Sequence, residues 1–255
     1  MSKSSWSKLP RILFLFGFVY TLAIFLPFII AVNNERVTPY VPYISEGGGQ
    51  FPEAGIFGIL ISICAFLSQV IICLRYLVVG GLSSLVSRSN ETYAFLNTVA
   101  LTLGSMSTLS LIIMASYPTT AFSQVHNTAA GVMCICIFLY MFCHTWITLL
   151  LSDYPTIRKM RLCITICSFI ALVIIAVFGV LGSIYWTSDR WVGAKTPEDE
   201  GFAFYVVSAS AEWILALLIF IFFFTFIQEF KMSTFHFNLE VKPPRRGPII
   251  TVTPA

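Results

Sequence analysis

Six stretches of this chain, about 12–32, 54–79, 94–116, 128–151, 162–186 and 203–228, are long and almost wholly apolar, and they restrict its folding most. Each reaches the roughly 20 residues that an α-helix needs to cross the hydrocarbon core of a bilayer. That core offers no partner to a free N–H or C=O, so a spanning segment must close its own hydrogen bonds, as a helix does. With 57% hydrophobic and 11% charged residues, against about 25% charged in an ordinary soluble domain, a water-facing surface could not be assembled. The expected fold is all-α integral membrane, a six-transmembrane-helix bundle over 1–232. A disordered cytosolic tail over 233–255 is expected to follow, because Pro243-Pro244-Arg245-Arg246-Gly247-Pro248 breaks helix and the tail lacks the apolar content to fold alone.

The first run is too long for a signal peptide and ends in Asn33-Asn34-Glu35 instead of small residues, so it reads as a permanent span. Orientation follows from Lys and Arg in the connections. All of them except Arg36, Arg190 and Lys195 fall in 1–11, 75–93, 152–161 and 229–255, which predicts that both termini are cytosolic. The loops 33–53, 117–127 and 187–202 then face a lumen or the outside and carry an acidic excess. A formal charge of +3 scattered over four segments gives no reason to expect nucleic acid. The seven cysteines lie inside the apolar runs, so no disulfide framework ties the loops together, and no Cys/His spacing suits zinc. Neither a cofactor nor a metal is expected.

In lipid, helices pack through small residues that let backbones approach. Ala54, Gly58 and Ser62 recur every four residues, as do Ala100, Gly104 and Thr108, and Gly179 with Ser183. The third span also holds Thr98, Thr102, Ser105, Ser107 and Ser110, which predicts that it is buried among its neighbours.

Four polar residues are candidates for function. Glu212 stands about 14 Å into the last span at 1.5 Å per residue, where a carboxylate must be neutral, paired or wet; counting down the second span to that depth reaches Ser62 and Ile63, with Ser68 and Gln69 one to two turns further. His126 marks the mouth of the fourth span, just before Ala129-Ala130-Gly131. Ser45 and Glu53 belong to Pro42–Gly58, a stretch with three consecutive glycines, Gly47, Gly48 and Gly49, that passes from a turn-rich loop into the second span. Pro42 and Pro52 stiffen this loop, Glu46 and Glu53 are expected to hold it at the water boundary, and Gly55 and Gly58 should let the next helix pack closely. No nucleophile elbow, zinc-protease motif or phosphate loop is present, so no catalytic residue is assigned.

That loop-to-helix stretch, Gly104 in a small-residue third span, His126 before an Ala-Gly run, Glu212-Trp213 and Thr225-Phe226-Ile227-Gln228-Glu229-Phe230 occur in an order that resembles the damage-regulated autophagy modulator (DRAM) family. The likeness covers the chain to about residue 232; the tail and the triple glycine depart from it. A plasma-membrane branch and the proteins that remodel lipids on GPI anchors look like more distant relatives. The resemblance implies a lysosomal or endosomal multi-pass protein that promotes autophagy, with no catalytic residues to carry over. A non-enzymatic regulator touching membrane lipids or membrane-protein partners is the first expectation. A lipid-remodelling enzyme or its partner, in the Golgi, endoplasmic reticulum or plasma membrane, is the second, and a small transporter the third. Oligomeric state is not encoded legibly.

Overall fold

Each apolar run is a helix, and several extend past their apolar limits. The computed structural model describes residues 8–85, 91–151 and 154–233. Its helices are α1 Pro10–Asn33, α2 Glu53–Leu85, α3 Glu91–Ser116, α4 Ser123–Leu151, α5 Pro155–Tyr185, α6 Phe202–Phe224 and α7 Ile227–Met232. Among the described residues, six helices are long and apolar enough to cross a membrane. Pro10 and Pro155 open α1 and α5, where a missing N–H costs nothing and the fixed φ suits a helix. The tail expected to be disordered lies, from 234 on, outside the described residues.

The last span is not the single helix expected over 203–228. It stops at Phe224 and restarts at Ile227. Thr225 Oγ1 donates to the Phe222 carbonyl at 2.7 Å, a side-chain bond that competes with the helical ladder at the break.

Helices adjacent in sequence are adjacent in space, from α1–α2 through α5–α6. The α3–α4 and α5–α6 seams are the most extensive, and α1 meets α6 along a thin one. Where seams are tight, small residues make them so. A Cβ on Gly104 would lie 3.0 Å from Ile72 and 3.1 Å from Tyr140, and one on Gly58 would lie 3.2 Å from the Ala115 carbonyl. Gly55, by contrast, has nothing within 4 Å, so its expected packing role is not met.

Hydroxyl and amide groups then bolt the seams. Gln69 binds Ser105 and Thr108 across α2–α3, Ser107 the Met133 carbonyl across α3–α4, Thr145 joins Thr165 across α4–α5, and Ser208 binds the Ile175 carbonyl across α5–α6. Bonds of this kind contribute roughly 0.6–2 kcal/mol each in a bilayer. Ser107, Thr108 and Ser110 are buried as expected of α3, whereas Thr98 and Thr102 face outward and donate to their own helix, to the carbonyls of Ala94 and Thr98.

Where α1 meets α6, aromatic side chains dominate, with Gly17 lying under Phe220 and Phe224. Phe16 stacks on Phe223 at 5.2 Å, Tyr20 meets Phe220 at 5.6 Å, and Phe25 meets Trp213 at 5.5 Å. Held apart in this way, the two helices leave a groove of about 340 Å³ lined by Tyr20, Ile24, Phe25, Trp213, Leu217 and Phe220, among others. The bundle thus has a lid end, with loops 34–52, 117–122 and 186–201, and a termini end where α1 starts and α7 finishes.

Candidate functional site

The 34–52 loop enters the bundle. Ile44 N–H donates to Glu212 Oε2 at 2.8 Å, and Glu212 lies ten residues, about 15 Å, down α6 from Phe202. Irregular backbone at that depth is tolerated only where protein satisfies its polar groups, and here the N–H groups of Tyr43 and Ile44 and the Pro42 carbonyl are met by side chains. Pro42 brings no N–H, and its carbonyl accepts the Trp213 indole N–H at 2.8 Å. Tyr43 N–H donates to Glu46 Oε2 at 2.9 Å. The polar residues of α2 counted at or below that depth are engaged elsewhere: Gln69 is taken up by α3, and Ser62 bonds the Gly58 carbonyl.

The triple glycine follows from close approach. A Cβ on Gly47 would meet the Phe28 backbone at 3.0 Å, and one on Gly48 would drive into the Phe57 side chain. These two positions sit on the 3-10 turn Glu46–Gly48, wedged between α1 and α2.

Glu46 and Glu53 do not mark a water boundary, being only 5% and 1% exposed. Each is withdrawn from water because it ties two segments together. Glu46 Oε2 lies 3.1 Å from Nζ of the wholly buried Lys195, which joins the first loop to the 186–201 loop. Thr38 Oγ1 reinforces that junction by donating to the Lys195 carbonyl at 2.8 Å. Burial pushes the Glu46 carboxyl above its ordinary range, against the pull of Lys195. Glu53 Oε1 accepts from Asn34 Nδ2 at 2.7 Å, while Oε2 stands 3.4 Å from Arg36 Nη1, so the end of α1 is clamped to the start of α2.

His126 is 3% exposed, and its Nδ1 lies 3.0 Å from the Met114 carbonyl and 2.8 Å from the Tyr117 carbonyl. With two acceptors there, Nδ1 carries the proton and caps the last turn of α3. Ser45 precedes the 3-10 turn without a side-chain capping bond. Glu212 is therefore brought to Ile44, the residue that precedes Ser45, whereas Glu53 and His126 serve separate junctions. Among the described residues no group of His, Cys, Asp or Glu could hold a metal ion.

A second polar cluster was not anticipated. Arg75 and Arg161, expected in cytosolic connections, are 2% and 0% exposed inside the termini end. Glu229 Oε2 pairs with Arg161 Nη2 at 2.7 Å and its Oε1 stands 3.2 Å from Arg75 Nη1. Arg161 also donates to Thr225 Oγ1 at 2.8 Å, Thr148 Oγ1 at 2.5 Å and the Thr225 carbonyl at 3.1 Å, so it holds the α6–α7 break. Both guanidinium groups lie over Phe226, at 4.8 and 4.9 Å from its centroid. The available signal was an arginine at each edge of an apolar run and a second acidic residue beyond Glu212.

Residues 5–233 match the family described as Frag1/DRAM/Sfk1/Cwh43P N-terminal domain. The chain is 29% identical to DNA damage-regulated autophagy modulator protein 1 of Xenopus laevis, over 91% of its own length and 94% of that protein. It is 31% identical to the Mus musculus protein of the same name, with coverage of 86% and 90%, and 27% identical to Modulator of macroautophagy TMEM150B of Danio rerio, with coverage of 91% and 88%. No solved structure matches. With a family match across nearly its whole length and these relatives in agreement, the chain belongs to the Frag1/DRAM/Sfk1 family.

Proposed function

We propose that this chain is a non-enzymatic multi-pass protein of lysosomal or endosomal membranes that modulates autophagy through contacts with lipids or membrane proteins. Its lid end faces the lumen and both termini face the cytosol. The names of its relatives support the role in autophagy, and the charge distribution supports the orientation. The observation that carries the non-enzymatic reading is the docking of Ile44 N–H on Glu212. The deep carboxylate is occupied by the chain's own backbone, and Glu53 and His126 are occupied at other junctions. An acid or base must reach a proton on its substrate, and these groups are committed to structure. The lipid-remodelling alternative needed Glu53, His126 and Glu212 to converge, and their separate partners count against it. The apolar groove between α1 and α6 supports contact with acyl chains.

The test is location together with flux. Full-length tagged chain, imaged against lysosomal, Golgi and plasma-membrane markers in cells lacking it, is expected on lysosomes and endosomes while restoring autophagic flux. Restriction to the Golgi or plasma membrane without an effect on flux contradicts the proposal.

A further inference from the structure

Among the described residues the cluster at the termini end has a positive charge in excess. Among the described residues Glu229 is the one carboxylate paired with either Arg75 or Arg161. Glu229 is committed to Arg161, where the 2.7 Å contact is an aligned hydrogen bond. Arg75 gains only proximity, because its Nη1 lacks hydrogen-bond alignment with Glu229 and its Nε has no acceptor. An uncompensated charge is costly in such a place, and cation–π contact with Phe226 offsets only part of it.

Two more polar atoms beside Arg75 are unpartnered. Tyr140 OH and His144 Nδ1 make no hydrogen bond, although the residues are 0% and 1% exposed. Their rings touch edge to face at 4.5 Å, and His144 lies 5.7 Å from Phe226, the ring that Arg75 covers. Buried polar groups are rarely left without partners, and here a guanidinium and an imidazole against Phe226, with a phenol packed on that imidazole, are unsatisfied together. All can donate, and the surplus charge is positive. The cluster's open edge is Glu229, whose side chain is 11% exposed.

We propose that Arg75, with Tyr140 and His144, forms a binding site for an oxyanion of the phosphate class at the termini end of the bundle. The oxyanion takes the donors that Glu229 leaves free, neutralises the surplus charge and fixes α2 and α4 against the α6–α7 break. Two sources have this chemistry, a phospholipid headgroup and free phosphate. Arg161 is 9 Å or so from the start of α5, a depth that a headgroup in the adjoining leaflet reaches.

The thermal unfolding midpoint of the full chain separates these sources. In neutral detergent, inorganic phosphate is compared with chloride at equal ionic strength; in phosphatidylcholine nanodiscs, phosphatidic acid is present or absent. The wild type is expected to rise in midpoint with phosphate, phosphatidic acid or both; a response to phosphate alone assigns free oxyanion, and to phosphatidic acid alone the headgroup. Arg75→Gln leaves a balanced Arg161–Glu229 pair and should bind roughly tenfold or more weakly, as expected for a lost charge-assisted hydrogen bond. Arg158→Gln, which removes an exposed basic residue of α5, should respond like wild type, and this excludes general salt or surface-charge effects. Should Arg75→Gln not fold, Tyr140→Phe removes a single unpaired hydroxyl and should bind several-fold more weakly. A wild-type midpoint unmoved by both ligands, or equal responses from wild type, Arg75→Gln and Tyr140→Phe, overturns the site.

Discussion

Glu212 owes its place in α6 to a backbone N–H. A loop that dips into the bundle brings the Ile44 amide below the helix ends, and the carboxylate accepts it there. Glu212→Leu should therefore strand a buried donor and cost about 1–3 kcal/mol, whereas Glu212→Gln keeps an acceptor and should cost less; chemical unfolding in detergent compares them. Glu46 makes a different prediction. Its carboxyl is raised by burial, so the folded chain holds that proton more tightly than the unfolded chain does. The stability from this group is fully present below the ordinary carboxylate range and is lost as pH rises through the raised value. Wild type should gain stability on acidification relative to Glu46→Gln, and parallel midpoint curves for the two would contradict this. The depth of Glu212 could be read from residue counting, but its partner could not, because nothing in the local pattern says that a loop 168 residues away in sequence returns to it.

The helices were the most legible elements, since a bilayer converts an apolar run of sufficient length into a helix with few alternatives. Their ends were harder. The continuous last span broke at Thr225, where a side-chain bond and Arg161 compete for backbone that periodicity assigns to the helix. The positive-inside pattern places Arg75 and Arg161 in connections because it weighs position and not burial, while tertiary pairing with Glu229 draws both inward. Arg161→Met leaves Glu229 to Arg75 but removes the charge-assisted bond to Glu229 and the bonds to Thr148 and Thr225, and should cost about 1.5–3 kcal/mol, lowering the unfolding midpoint far more than Arg158→Gln does. Gly104 was legible as a packing residue, and the 3.0 Å approach of Ile72 agrees. Gly104→Leu should overpack the α2–α3–α4 junction by about 1–3 kcal/mol, visible in the same unfolding assay.

Across the whole molecule, charged and polar groups are gathered at two levels. Buried carboxylates at the lid end hold a re-entrant loop through Tyr43, Ile44 and Lys195. At the termini end a buried carboxylate holds two arginines and the α6–α7 break. Between them the seams are held by small residues and single hydroxyl bonds, and α1 meets α6 loosely through aromatic rings. This division suits the proposed reading of a membrane-embedded regulator, with the lid end proposed as its working part. Its most direct test is autophagic flux restored in cells lacking the chain, by wild type or by Glu212→Leu, with both confirmed at the same membrane and at equal abundance. The account predicts that Glu212→Leu reaches the membrane but restores flux poorly; full restoration by that variant would contradict it.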